Sequence, residues 1–313
     1  RDQPRSRGLG DVYKRQALDR CGEQIRAMII NGENTVVSDP DRNHCEHALK
    51  SLDHLVVIDL FLTETGELAD VVFPAAGFGE ADGTCANTER RVQRLRAAVT
   101  PHGQAKPDWW IVSQIARRLG IEGFEYESAR DVFNELCGLS PIYAGLDWDR
   151  VENGEFQWPV PEKDHPGTPI LHEGEFENGR GIFTVLSYRD PAETIDDEYP
   201  VWLTTGRRLA SYHTRTQSGR AQGIDYLLSE ETLEVHPDDL SAWGLEDGSL
   251  CEMASRRGAV RVKVEATSRS PRGTVFCSFS FNDVPVNILT GSGYDPVTQT
   301  AELKVCPVKI SKA

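Results

Sequence analysis

The chain reads as an α/β domain with a doubly wound parallel sheet, followed by an all-β domain closed into a barrel. Three observations predict this. From Ile25 to Cys137 short apolar runs alternate with helical patterns, the signature of strands joined by helical crossovers. From Tyr199 onward six short strands surround a single helical stretch. Between them the text turns to Pro, Gly and acidic residues, as in "WPVPEKDHPGTPILHEGEFENGRG". The expected division is a tail over 1–16, an α/β domain over 17–137, a linker arm over 138–198 and a barrel over 199–313.

The elements follow in order. "RDQPRSRGLGDVYKRQ" is basic and lacks apolar periodicity, so 1–16 reads as a non-native or disordered tail. "IRAMII" is a short strand closed by Asn31-Gly32, and "SDPDRNHCEHALKSL" a helix opened by Ser38, Asp39 and Pro40. "HLVVIDLF" is a buried strand, because its β-branched run does not alternate. "TETGELA" supplies a helical turn or two and "DVVFPAA" another strand. In "PDWWIVSQIARRLG" one apolar face is expected from Trp109, Val112, Ile115, Ala116 and Leu119. "SARDVFNELCG" is a helix whose Ser128 and Asp131 form a capping box. In the barrel region "VWLTTG", "LEVH", "SLCEMAS", "AVRVKVEA", "TVFCSFSF" and "ELKVCPVKI" are strands separated by turns such as Asp247-Gly248 and Arg257-Gly258. Only "HPDDLSAWG", between Pro237 and Gly244, is helical there.

Bulk composition narrows the function. The 313 residues carry 34 basic and 49 acidic side chains, a formal charge of -15 that is a poor footprint for a nucleic-acid binder. No apolar run approaches the ~18–20 residues of a membrane span. Seven cysteines without a C-x-x-C pair fit reduced cytoplasmic thiols better than a disulfide framework, and offer no iron–sulfur or zinc run.

Against that acidic background, Pro200 to Ile224 contains no Asp or Glu, yet holds Arg207, Arg208, Arg215 and Arg220. A loop leaving "VWLTT" through Gly206 brings backbone N–H groups, guanidinium forks and the hydroxyls of Thr205, Ser211 and Thr214 together, the groups that bind a diphosphate. A solvated edge loop with scattered arginines stays open as the plainer reading. A second basic run, "ERRVQRLR", places Arg90, Arg91, Arg94 and Arg96 after "GFGEADGTCANT", whose glycines do not fit a nicotinamide fingerprint. That run fits a structural loop tied to neighbouring acids as well as a ligand contact. His44, Cys45 and His47 lack further ligands for zinc, and Ser211 and His213 lack an orienting acid for nucleophilic catalysis.

"ADVVFPAAGFGEADGTCANTERRVQRLRAAV" followed by "PDWWIVSQIARRLG" resembles the third domain of the molybdopterin oxidoreductases. "TTGRRLASYHTRT" and "GYDPVTQTAELKVCPVKI" resemble that family's dinucleotide-binding domain, an aspartate-decarboxylase-like double-psi β-barrel. "QWPVPEKDHPGTPILHEGEF" and "EYPVWLTTGRRLASYHTRT" are most similar to formate dehydrogenase large subunits, with a nitrate reductase or a pterin-free subunit of a respiratory complex as alternatives.

The resemblance implies bis-molybdopterin guanine dinucleotide carrying Mo or W, with a [4Fe–4S] cluster and the metal ligand upstream of residue 17. It implies that Thr205, Gly206, Arg207, Arg208, Leu209, Ala210, Ser211, Tyr212, His213 and Thr214 wrap one diphosphate and its pterin end. Asn34, Ile58 and Asp59 would hold a guanosine, and Asp108 would read a guanine by pairing its carboxylate with two ring donors. Phe279, Asn287 and Lys304 match the remaining contacts. No catalytic residue and no metal ligand falls within these 313 residues, so the chain alone is expected to be inactive. Formate, and electron-transfer subunits with Fe–S or flavin, are the implied partners of the whole enzyme. One departure is Ala81, where family members place a lysine.

Overall fold

A computed structural model describes residues 17–176, 178–295 and 300–313; the tail expected over 1–16 lies outside them. The chain packs as two compact units. One comprises the chain to Val57, Phe61–Val72 and Tyr188–Ala313, and the other Ile58–Leu60 with Phe73–Ser187.

The first strand, β1 (Ala27–Asn31), leads into α1 (Thr35–Ser38) and α2 (Arg42–Lys50). The single helix expected from Ser38 is therefore two. Asp39 precedes Pro40, which forces it extended (ψ 148°) and ends α1. The chain restarts at Asp41, whose carboxylate accepts from the His44 N–H at 3.4 Å and caps α2. Strands β2 (His54–Asp59) and β3 (Val71–Pro74) complete a three-stranded sheet in the order β1-β2-β3. Leu55, Val57, Val36, Cys45 and Leu49 form the core beneath it.

The second unit adds a hairpin that the sequence did not announce, β4 (Gly83–Ala86) and β5 (Arg91–Leu95). Helix α3 (Asp108–Arg118) follows, but with a different face from the one expected. Ile111, Ile115 and Ala116 turn inward, with Ile111 and Ile115 packing on Ile58 and Ala75, while Val112 and Leu119 are exposed. Helix α4 (Ala129–Leu139) carries the Ser128–Asp131 capping box as expected. Helix α5 (Trp148–Asn153) and β6 (Phe156–Gln157) lie in the supposed linker arm, and Leu146, Trp148, Val151 and Val160 pack with Val92 and Phe133. The beginning of the arm is thus core, because a dense apolar set there outweighs its prolines.

The remaining strands close a barrel in the order β10-β8-β11-β7-β12-β9. In sequence they are β7 (Val201–Gly206), α6 (Gln222–Leu227), β8 (Thr232–Val235), α7 (Pro237–Trp243), β9 (Leu250–Ala254), β10 (Ala259–Ala266), β11 (Thr274–Ser278) and β12 (Cys306–Lys312). Along β10, Val260, Val262 and Val264 point inward and Arg261 and Lys263 outward, as their alternation dictates. Leu203, Leu233, Val235, Met253, Val275 and Val308 fill the interior; full burial of each large aliphatic chain is worth roughly 1.5–3 kcal/mol.

Candidate functional site

Strand pairing brings three distant segments to one end of the barrel. Strands β7 and β11 run parallel with Gly206 opposite Ser278, so the loops that follow both leave from the same end. Strand β12 is antiparallel to β7 with Cys306 opposite Leu203, so the residues just before it arrive there too. Lys304 accordingly donates from Nζ to the Thr205 carbonyl at 2.7 Å, and Thr205 Oγ1 donates to the Leu303 carbonyl at 2.6 Å. His213 meets Phe279 edge to face, with ring centroids 5.4 Å apart.

The arginines divide into two classes. Arg208 is nearly buried and its fork is spent on the outward side of the barrel wall. Nε lies 3.0 Å from Glu231, Nη1 3.1 Å from Glu234, and Nη2 2.7 Å from the Thr232 carbonyl. Arg215 pairs with Asp225 and lies over the Phe281 ring. Arg207 is exposed and, like Arg220, has no carboxylate within ion-pair distance among the described residues. Lys304 shares that condition: burial, and then the like charge of Arg207, push its ammonium below the ordinary lysine value. Two uncompensated cations therefore flank Thr205 in a strongly anionic protein.

The loop backbone is held under strain. His213 (φ 50°) and Arg215 (φ 61°) both adopt the left-handed region, a cost of order 1–3 kcal/mol each that other contacts must hold in place. Ser218 Oγ accepts from the Tyr212 N–H at 3.0 Å and braces the turn. Gly206 has a packing reason of its own: a Cβ there would meet the Phe276 ring at 2.6 Å. Leu209 and Tyr212 are exposed and Ala210 half-buried.

A polar cavity of about 210 Å³ adjoins the loop, lined among others by Glu64, Thr214, Arg215, Thr216, Arg220 and Ser280. Among the described residues, the buried hydroxyls of Ser280 and Ser211 have no hydrogen-bond partner, and neither does Asn287 Oδ1. Asn287 Nδ2 donates to the Val37 and Ser38 carbonyls at 2.8 and 3.2 Å, which fixes the amide orientation and leaves its acceptor turned elsewhere. Orphaned buried polar atoms beside uncompensated cations fit a polyanionic, hydrogen-bonding ligand.

Asn34 is spent differently from what was expected. Its Oδ1 accepts from Thr65 Oγ1 at 2.9 Å and its Nδ2 donates to Glu64 at 2.6 Å, so its side chain braces the turn at residues 63–65. Ile58 is wholly buried in the second unit and has only backbone to offer. Asp59 ends β2, where its carboxylate accepts from the Leu60 N–H at 2.6 Å and its carbonyl from Ala75 at 2.9 Å. Asp108 is exposed at the first turn of α3, two residues after Lys106, which bridges Ala75 on the same sheet edge. Asp59 thus lies at the end of β2 and Asp108 just after the Ala75–Lys106 bridge. The sequence reading missed Glu231, Glu64 and Ser280; Glu231 stands in "SEETLEV", where nothing distinguishes it from its exposed neighbour Glu230.

Other chemistry falls away. Among the described residues no group of three His, Cys, Asp or Glu side chains converges to hold a metal. Burial pushes the Cys251 thiol up to about 11 and Cys277 also well up, so neither is a ready nucleophile. No helix among the described residues is long and apolar enough to cross a membrane.

A barrel end with fixed cations and unpartnered hydroxyls defines a module for a phosphate-bearing group. The known proteins that this chain is similar to agree. Residues 11–118 match the molybdopterin oxidoreductase family and residues 201–307 the molydopterin dinucleotide binding domain; the first match begins inside the stretch read as a tail. The alpha subunit of F420-dependent formate dehydrogenase 2 from Methanococcus maripaludis is 45% identical over 95% of this chain and 44% of its own length. The F420-dependent formate dehydrogenase alpha subunit of Methanocaldococcus jannaschii is 44% identical over 95% of this chain and 45% of its own. Acetylene hydratase from Pelobacter acetylenicus shares the fold, with a TM-score of 0.75 at 17% identity over 95% of this chain and 46% of that one. The chain belongs to the molybdopterin oxidoreductase family. It spans less than half the length of these two curated relatives.

Proposed function

We propose that this chain is the cofactor-clamping part of a molybdenum- or tungsten-dependent formate dehydrogenase catalytic subunit. The observation that carries it is the pair Arg207 and Lys304, two neighbouring cations at the Thr205 end of β7 with no carboxylate beside them among the described residues. A diphosphate neutralises both cations, and its oxygens accept from the hydroxyls. Arg207, Lys304, Ser211 and Thr214 hold the diphosphate, while Ser280 and Thr216 face the pterin end through the polar cavity. Asn287 turns its vacant acceptor toward a donor of the ligand. In the second unit, Asp59 and Asp108 take guanosine donors, and Ile58 contributes backbone.

The bound metal–pterin group supplies the two-electron oxidation of formate to carbon dioxide, a proton and two electrons. The protein's part is preorganisation: the barrel fixes the nucleotide tails, and so the reacting end, before substrate arrives. The finer architecture fits this role, with residues 17–137 a doubly wound domain whose core takes in the beginning of 138–198, the rest of that segment a connecting arm, and 199–313 a double-psi barrel. A [4Fe–4S] cluster and Fe–S or flavin subunits in the cytoplasm would carry the electrons away. The similarity to formate dehydrogenase alpha subunits supports formate as substrate.

The holoenzyme isolated without oxygen tests the reading. Metal analysis, guanosine monophosphate released by acid hydrolysis, and formate-dependent dye reduction should all be positive. A preparation containing neither metal nor releasable guanosine monophosphate rejects it.

A further inference from the structure

The adjacent arginines at the exit of β7 face opposite fates, and one acid accounts for the difference. Glu231 is wholly buried at the start of β8. Its carboxylate takes the Arg208 Nε at 3.0 Å, the Ser278 N–H at 3.2 Å and the Ser278 hydroxyl. Glu234 and Thr232 receive the rest of the Arg208 fork. Glu234 in turn accepts from Arg269 at 3.0 Å, which locks the cluster from the far side.

We propose that Glu231 is a positioning residue for the cofactor loop: it holds Arg208 against the outer side of the barrel wall, so that of the two adjacent arginines only Arg207 is presented to the diphosphate. This rests on the reading that the loop clamps a diphosphate. It changes the roles within the loop, because the composition alone counts both arginines as phosphate ligands.

The geometry explains how. Arg208 continues the outward row of β7 and lies against Phe276, Thr232 and Glu234, whereas Arg207 continues the row of Val201, Leu203 and Thr205 and so emerges at the barrel's end. Ser278 ends β11 opposite Gly206, so Glu231 also ties together the two strands from which the ligand loops depart. Loss of either partner of so buried a pair leaves a charge without compensation and moves the loop. Loss of both does not.

Salt separates a guanidinium that touches phosphate from one that sets the loop, since an exposed charge pair is screened and a buried anchor hardly is. Bound dinucleotide in the anaerobically isolated holoenzyme is counted as guanosine monophosphate released by acid hydrolysis after dialysis at increasing salt. Arg207→Gln is expected to flatten the salt dependence of retention. Arg208→Gln is expected to lower retention by about tenfold with the wild-type salt dependence, and adding Glu231→Gln to bring it back to within about threefold. Arg208→Lys keeps a charge beside Glu231 and guards against a variant that does not fold; retention within about threefold, with unchanged salt dependence, is expected.

A salt dependence flattened by either Arg208 variant, or a double variant no better than Arg208→Gln, overturns the inference while leaving the cofactor reading intact. A wild-type holoenzyme that releases no guanosine monophosphate overturns the cofactor reading and the inference with it.

Discussion

The two arginine-rich stretches look alike as text and differ as structure. In the second unit every arginine of "ERRVQRLR" is spent. Arg90 donates to the carbonyls of Thr168 and Pro169, both at 2.9 Å. Arg91 lies 3.5 Å from Glu89. Arg94, with its side chain 6% exposed, meets Glu152 at 2.6 Å and lies 3.6 Å over the Trp148 ring. Arg96 takes the other oxygen of Glu152 at 2.7 Å. At the barrel end, Arg208 and Arg215 are likewise compensated, but Arg207 is not. The lesson is that a basic run signals a ligand only by the cations left after neighbouring strands have supplied their acids and carbonyls.

Four measurements break or sharpen this contrast. Arg94→Ala should have the largest effect, because it strands the Gly83 and Leu95 carbonyls and empties the face of Trp148; a loss of about 3 kcal/mol is expected by denaturant unfolding. Arg207→Gln should leave unfolding within about 0.5 kcal/mol of wild type, while cofactor retention falls about tenfold, or ~1.4 kcal/mol. An equal loss of stability at both positions would erase the distinction between the stretches.

The third measurement concerns pH. Burial pushes the Glu231 carboxyl up from 4.5, with Ser278 and Arg208 opposing. In Arg208→Gln the opposing guanidinium is gone, so folded Glu231 keeps its proton to higher pH than the unfolded chain does. That stabilisation is fully present below 4.5 and is lost as pH rises through the folded value. Urea unfolding of the variant without cofactor should therefore show falling stability, relative to wild type, as pH rises above 4.5. A parallel profile would contradict the burial argument. Arg96→Ala should change least, within about 0.5 kcal/mol, since both Arg96 and Glu152 are well exposed.

Local patterns made the barrel legible. The valines of β10 alternate, Gly244 caps α7 in the left-handed region, and "VWLTTG" begins and ends where β7 does. The β4–β5 hairpin was not legible, because "GTCANTERRVQRL" is polar and its stability comes from partners distant in sequence. The face of α3 was misread for a related reason: Val112 and Leu119 fit the helical period as well as Ile111 does, and only the position of Ile58 decides between them. In the candidate site, Lys304 and Phe279, which the resemblance named together with residues 205–214, do come to that loop. The division of labour between Arg207 and Arg208 was hidden, since it depends on a buried acid more than twenty residues away.

The mixed pairing of β7, β11 and β12 has a consequence for how such a clamp can change. Each of the three segments is joined to the rim through its own strand end. A loop can lengthen, shorten or exchange its tip while the other two keep their register. One scaffold can in this way accept differently shaped cofactor ends or neighbouring subunits by editing a single connection, with Gly206 and Ser278 as the fixed seam.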